Sequence, residues 1–142
     1  MPSKKMEQSQ ITQNIRRLRR EEIDKLTGKI IGLAIKVHQT LGPGFVEKVY
    51  EKALSYEFKR EKLKFSNQTV IKVQYEDLEI GNQRVDFIVE EEIILEIKSV
   101  SQIIELFEHQ ILSYLKASDK KVGLILNFGR KSLEIKRVVY KF

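Results

Sequence analysis

Apolar positions recur along this chain with two different periods, and the switches between them mark out its helices and strands. From Ile23, the residues Leu26, Ile30, Ile31, Leu33, Ala34, Val37 and Leu41 follow helical spacing and predict a first helix ending near Thr40. Gly28 and Gly32 lie one turn apart on it, either admitting a close neighbour or marking a weak place. His38 is a lone histidine, and a structural role is expected for it. Leu41-Gly42-Pro43-Gly44 ends this helix. A second helix follows with Val46, Val49, Tyr50, Ala53 and Leu54 as its apolar stripe and a charged exit at 57–62. Residues 67–75 alternate as a strand, 77–82 read as a turn, and 84–99 read as a β-hairpin. Ser101 is the expected N-cap of a third helix, whose stripe is Ile103, Phe107, Gln110, Ile111 and Tyr114, with Leu106 and Leu115 alongside. Residues 122–128 are almost continuously apolar, as in a strand covered on both faces, and 133–140 alternate as a final strand near the sheet edge. The order is α-α-β-β-β-α-β-β, an α/β fold with a mixed sheet flanked by helices. Residues 1–13 are polar and are expected to be a frayed or disordered start.

The hairpin carries the candidate chemistry. Centring its loop on Glu91 sets Val85, Phe87 and Val89 against Ile97, Leu95 and Ile93 and predicts one wholly apolar face. The other face pairs Ile88 with Ile94, Asp86 with Glu96, and Arg84 with Lys98. Directly opposed side chains have Cβ atoms roughly 4.5–5.5 Å apart, where like charges repel. A divalent cation would offset that repulsion, because Mg2+ is commonly held by one or two carboxylates together with waters and a substrate phosphate. Such a site, with Lys98 two residues beyond Glu96, suits metal-assisted hydrolysis of a phosphodiester: the metal activates the attacking water and the lysine orients it.

The tripeptide acid-x-Lys is weak by itself. It also occurs as Glu57-Phe58-Lys59, Asp119-Lys120-Lys121 and Glu134-Ile135-Lys136. The last of these reads as the wet face of a strand. The copy at 96–98 differs because Ile88, Ile94 and Val100 share its face, which implies partial cover. An ion site and a solvated strand face both remain open on the hairpin alone. Glu47 is similarly open, between a first-turn acid favoured by the helix dipole and a group turned toward a site; the pattern favours the former. Gln110 and Tyr114 sit one turn apart on an apolar face and are equally readable as edge and core residues.

Composition narrows the setting. The 142 residues suit one domain, with 42% hydrophobic and 32% charged content typical of a globular protein. Cysteine is absent, which excludes disulfides and thiolate metal sites and fits a reducing compartment; a cytoplasmic location is expected. No membrane span or signal peptide is read. Of the net charge of +6, residues 1–20 supply +5, from six Lys and Arg against Glu7, leaving +1 for the rest. The chain therefore divides into a basic, flexible arm at 1–20 and a single domain at 21–142. Such an arm either contacts nucleic-acid phosphates or is a solvated extension.

Asp86, Glu96-Ile97-Lys98 and the flanking elements resemble the PD-(D/E)xK nuclease superfamily, with its restriction-endonuclease-like core of helix, three strands, helix and strand. Gly44-Phe45-Val46-Glu47-Lys48-Val49-Tyr50 resembles the signature of the GxxExxY proteins, Gln110-Ile111-Leu112-Ser113-Tyr114 looks like the Gln-x-x-x-Tyr element of RecB-like nucleases, and residues 124–128 resemble the following strand. The likeness spans roughly residues 23–140 and departs from the usual pattern where Val85, not proline, precedes the motif aspartate. It implies that Asp86, Glu96, the Ile97 carbonyl and Glu47 hold Mg2+ or Mn2+. It further implies that Lys98 assists the attacking water, and that Gln110 and Tyr114 support or contact substrate.

The reading is therefore a Mg2+-dependent nuclease acting on DNA. Its rivals are a nucleic-acid- or protein-binding module on the same fold and a phosphoesterase acting on small nucleotides. The intact acid-acid-lysine set argues against the module, and the basic arm argues for a long polyanion over a nucleotide. The sheet edge and the helices leave room for a homodimer.

Overall fold

A computed structural model describes residues 3–142. Helix α1 runs Lys4–Leu41, α2 Glu47–Arg60 and α3 Glu105–Ser118; the strands are β1 Phe65–Tyr75, β2 Leu78–Val89, β3 Ile93–Lys98, β4 Val122–Asn127 and β5 Glu134–Val139. The element order is the expected one. The strands form one sheet in sequence order, antiparallel except for β3–β4, which is parallel across the α3 crossover.

Two apolar clusters make this an α/β/α arrangement. On one face Tyr50, Leu54 and Phe58 of α2 and Ile30 and Ala34 of α1 meet Phe87, Leu95, Leu124 and Phe128. On the other, Ile111 and Leu115 of α3 meet Ile71, Ile94 and Ile125. Strand β4, buried at every position, serves both faces, which explains its unbroken apolar run. His38 is buried, and its Nε2 donates to the Arg130 carbonyl at 2.8 Å, the structural role expected of it. Among the described residues no helix is long and apolar enough to cross a membrane.

Three boundaries depart from expectation. The polar start is helical from Lys4 rather than frayed, because Ser3 caps it and no glycine or proline interrupts it before Gly28. Residues expected as a separate basic arm therefore begin α1, and Arg19 reaches Glu92 at 3.0 Å in the β2–β3 turn. The expected turn at 77–82 is mostly strand: the chain reverses at Glu76 (φ +55°) and Asp77, and Gly81 and Asn82 pair with Val73 and Lys72. Helix α3 starts after Ile104 instead of Ser101, since Ser99–Ile104 is held by groups described below.

Candidate active site

The site forms where β2 and β3 part. Their ladder pairs Val89 with Ile93, Ile88 with Ile94 and Phe87 with Leu95, the expected register, and then stops. At the next position side chains take over from the main chain. The Ile97 amide donates to Asp86 Oδ2 at 2.7 Å, and the Asp86 amide donates to Glu96 Oε1 at 3.3 Å. Each acid thus ties itself to the opposite strand at the fork.

The fork also breaks the alternation of β2. Side chains two apart on a regular strand share a face, yet Phe87 packs on the α1/α2 side while Val85 packs on the α3 side. The single apolar face expected for Val85, Phe87 and Val89 is corrected accordingly: it holds for Phe87 and Val89 and fails at Val85. Opposite the break, Gln68 of β1 adopts a left-handed backbone (φ +48°) between the pairs Asn67–Phe87 and Thr69–Val85. Its amide donates to Asp86 Oδ1 at 3.2 Å and to Glu51 Oε1 at 3.0 Å.

Glu51 was not singled out in the sequence, and its signal was slight: it lies one helical turn beyond Glu47. Its charge raises the proton affinity of both Asp86 and Glu96. Glu47 is exposed at the start of α2. It is tied to the site through its neighbours, because Ser99, immediately after Lys98, donates its hydroxyl to the Phe45 carbonyl at 2.7 Å. The turn before α2 is fixed by Tyr50, whose hydroxyl donates to the Gly42 carbonyl (2.7 Å) and accepts from the Phe45 amide (3.2 Å). Gly42 and Gly44 adopt φ +70° and +114°, a region that favours glycine. In the Gly-x-x-Glu-x-x-Tyr segment, glycine and tyrosine thus shape the turn before α2, while the glutamate itself stands exposed.

The electrostatics show a pair short of positive charge. Burial, followed by the neighbouring Asp86 charge, pushes the Glu96 carboxyl up to about 8. Burial likewise raises Asp86, partly offset by the Ile97 and Gln68 hydrogen bonds. Lys98 eases both carboxylates, and its Nζ lies 4.2 Å from the Phe107 ring centroid, so that α3 steadies the amine by a cation–π contact. Tyr114 is raised by burial and then by the charges of Glu96 and Asp86. Gln110 and Tyr114 line one cavity of about 370 Å3 with Gln83 and Ile71.

The loop that follows Lys98 is clamped from the β4–β5 side. Buried Asn127 accepts from the Val100 amide and donates to the Val100 carbonyl, both at 3.0 Å, and donates to Glu134 Oε1 at 3.0 Å. That oxygen also accepts from the Ile103 amide at 2.8 Å. Glu134 is therefore a clamp and not the wet strand face expected of it; its bond from Asn127, followed by that from Ile103, holds its carboxyl below the usual range.

Two carboxylates and the Ile97 carbonyl are hard oxygen donors, and burial and mutual repulsion leave both acids with raised proton affinity that a bound cation would relieve. This donor set fits Mg2+ or Mn2+. Among the described residues no three histidine, cysteine or acidic side chains converge on a single point, so waters and substrate oxygens would complete the shell, as Mg2+ ordinarily allows.

An α/β/α fold with paired acids and a lysine at a strand fork is the layout of a nuclease-type protein. The chain belongs to the PD-(D/E)XK nuclease superfamily, which matches residues 24–138. It is also similar in fold to the crystal structure of SSO0001, with 14% identity and a TM-score of 0.52 over 67% of this chain and 50% of that one. The chain spans half the length of that protein. No curated protein matches it.

Proposed function

We propose that this chain is a metal-dependent nuclease that hydrolyses phosphodiester bonds of DNA, and that within its superfamily it is a GxxExxY protein. The observation that carries the reading is the Asp86–Glu96 pair, locked across the fork and deficient in positive charge, with Lys98 beside it. Asp86, Glu96 and the Ile97 carbonyl would hold Mg2+ or Mn2+; among the described residues no third acid converges on that pair, so Glu47, exposed on α2, would act on the ion through a bound water. A bound cation supplies charge that lowers the pKa of water and stabilises the developing phosphorane.

The chain's own residues do the rest. Asp86 and Glu96 fix their carboxylates through the opposite strand, which keeps them in place when protons leave. Lys98, steadied by Phe107, presents an ammonium to the scissile phosphate or the attacking water. Tyr114 and Gln110, which wall a cavity with Gln83 and Ile71, would orient the substrate strand.

Lys98→Ala tests this reading. Cleavage of plasmid and single-stranded DNA in Mg2+ is expected to fall at least about 100-fold, in line with the loss of a group acting on the reacting atoms, and chelation should abolish it in the native chain. Retained cleavage in Lys98→Ala would remove the lysine from the mechanism. A native chain that binds DNA without cleaving it in either metal would favour the binding module.

A further inference from the structure

At the end of the sheet opposite Lys98, cationic side chains from separate parts of the chain surround one cavity of about 400 Å3. Arg16, Arg19 and Arg20 come from α1, Lys121 precedes β4 and Lys141 follows β5, with Phe142 as an apolar wall. No acid lines it. The fold thus joins the basic stretch Arg16–Arg20 to lysines from two distant parts of the chain, and the convergence is unfavourable unless something neutralises it.

The neutralisation visible in the structure is partial. Arg19 pairs with Glu92 at 3.0 Å and Lys121 with Asp119 at 3.4 Å. Arg20 donates to the Phe142 carbonyl at 2.8 Å. Among the described residues neither Arg16 nor Lys141 has a carboxylate within ion-pair distance. Aromatic rings hold several of these cations in place: Arg20 stands over Phe142 at 5.7 Å, and Lys121 and Lys141 over Tyr140 at 5.7 and 5.2 Å. Arginine forks fixed in this way can bind phosphate oxygens bidentately.

We infer that this cavity is a phosphate-binding site, separate from the acid fork, which takes the backbone of the same nucleic-acid strand that the fork acts on. The strand assignment rests on the proposed nuclease reading; the phosphate chemistry does not. The sheet sets the separation. Ile93, Val122 and Val139 form one row, and Lys98, Asn127 and Glu134 another, five residue steps away. At about 3.3 Å per step the two sites lie at least about 16 Å apart along the strands. Along the axis of a duplex, where one strand rises roughly 3.4 Å per phosphate, that is about five nucleotides, and an extended single strand covers it in fewer. A dinucleotide is too short to span it in either form and reaches one site, whereas an oligonucleotide of about twelve reaches both.

The test uses the full chain carrying Glu96→Gln, which is expected to block cleavage, with labelled single-stranded oligonucleotides of the two lengths read by anisotropy across a salt series. Inorganic pyrophosphate serves as a second probe. The longer strand should bind at least about tenfold more tightly than the shorter, because its second contact is intramolecular. Arg16→Gln with Lys141→Gln should remove most of that gain and reduce the log–log salt slope by about 1.4, at about 0.7 per charge for a single strand. Both side chains are exposed; circular dichroism confirms the fold, and Arg16→Glu should weaken the longer strand further. If the variant loses pyrophosphate binding but keeps the full length gain, the ligand is a small phosphorylated molecule and the strand assignment is overturned. If neither probe responds, the site itself is overturned. Cleavage by the chain with native Glu96 is read separately, so a silent nuclease overturns the catalytic reading without touching the cavity.

Discussion

Glu96→Gln is expected to lower metal-dependent cleavage at least about 1,000-fold, as expected for loss of a preorganised charge, while making the metal-free protein more stable. The second effect follows from the same cause as the first. Glu96 is held at about 8 against an ordinary 4.5, chiefly by burial and then by Asp86. Between those values the folded chain retains a proton that the unfolded chain has lost. Stability of the metal-free wild type therefore falls as pH rises from about 4.5 to about 8 and levels beyond, opposite in sign to an ordinary ion-paired carboxylate. Glutamine cannot titrate. The gap between variant and wild type should open through that window and reach a few kcal/mol, at about 1.4 kcal/mol per pH unit at most. Thermal melts with a chelator across pH measure it. Added Mg2+ should stabilise the wild type and leave the variant almost unmoved. A variant less stable than wild type at pH 8.5 would mean that Glu96 is not a strained acid.

Gly129→Ala is expected to damage both stability and activity, although residue 129 carries no chemistry. A Cβ there would lie 2.4 Å from both the Val100 amide nitrogen and its carbonyl oxygen, and 2.8 Å from the Ser99 carbonyl carbon. These are backbone atoms and cannot rotate away. Val100 is further pinned by Asn127, and the Phe128 amide donates to the Lys98 carbonyl at 2.8 Å. The strain must therefore move the end of β3 or open the β4–β5 turn. A loss of about 1–3 kcal/mol is expected for overpacking, a fall in melting temperature of roughly 3–10 °C. Displacing Lys98 by about 1 Å would cost on the order of 100-fold in cleavage. Melting and cleavage assays on the same preparation check both; a native melting temperature with native cleavage would show that the loop yields without disturbing the site.

The two changes differ in how far the sequence announced them. The hairpin register was legible because Phe87, Leu95, Val89 and Ile93 alternate around a short acidic turn, and a one-residue slip would have buried charge. Strand β4 was legible because only a strand covered on both faces carries so unbroken an apolar run. The fork was not. Alternation is a property of regular strands, and the switch at Val85 depends on the left-handed Gln68 across from it, which no local pattern encodes. Glu51 was hidden for a related reason: its partners, Asn67 and Gln68, lie on another element. Glu134 looked like a solvated acid because its alternation with Leu133 and Ile135 is genuine; its clamp on Asn127 and Ile103 is a long-range hydrogen bond. The early start of α1 was missed because its first turns bury nothing, and periodicity reports burial rather than helix.

The most direct measurement is calorimetric titration of Mg2+ and Mn2+ into the wild type and Asp86→Ala, with plasmid and single-strand cleavage run on the same samples. The account predicts metal binding and metal-dependent cleavage by the wild type, and loss of both in Asp86→Ala with the fold intact by circular dichroism. Metal binding and cleavage undiminished in Asp86→Ala would contradict it, because the strand fork could not then be the catalytic centre.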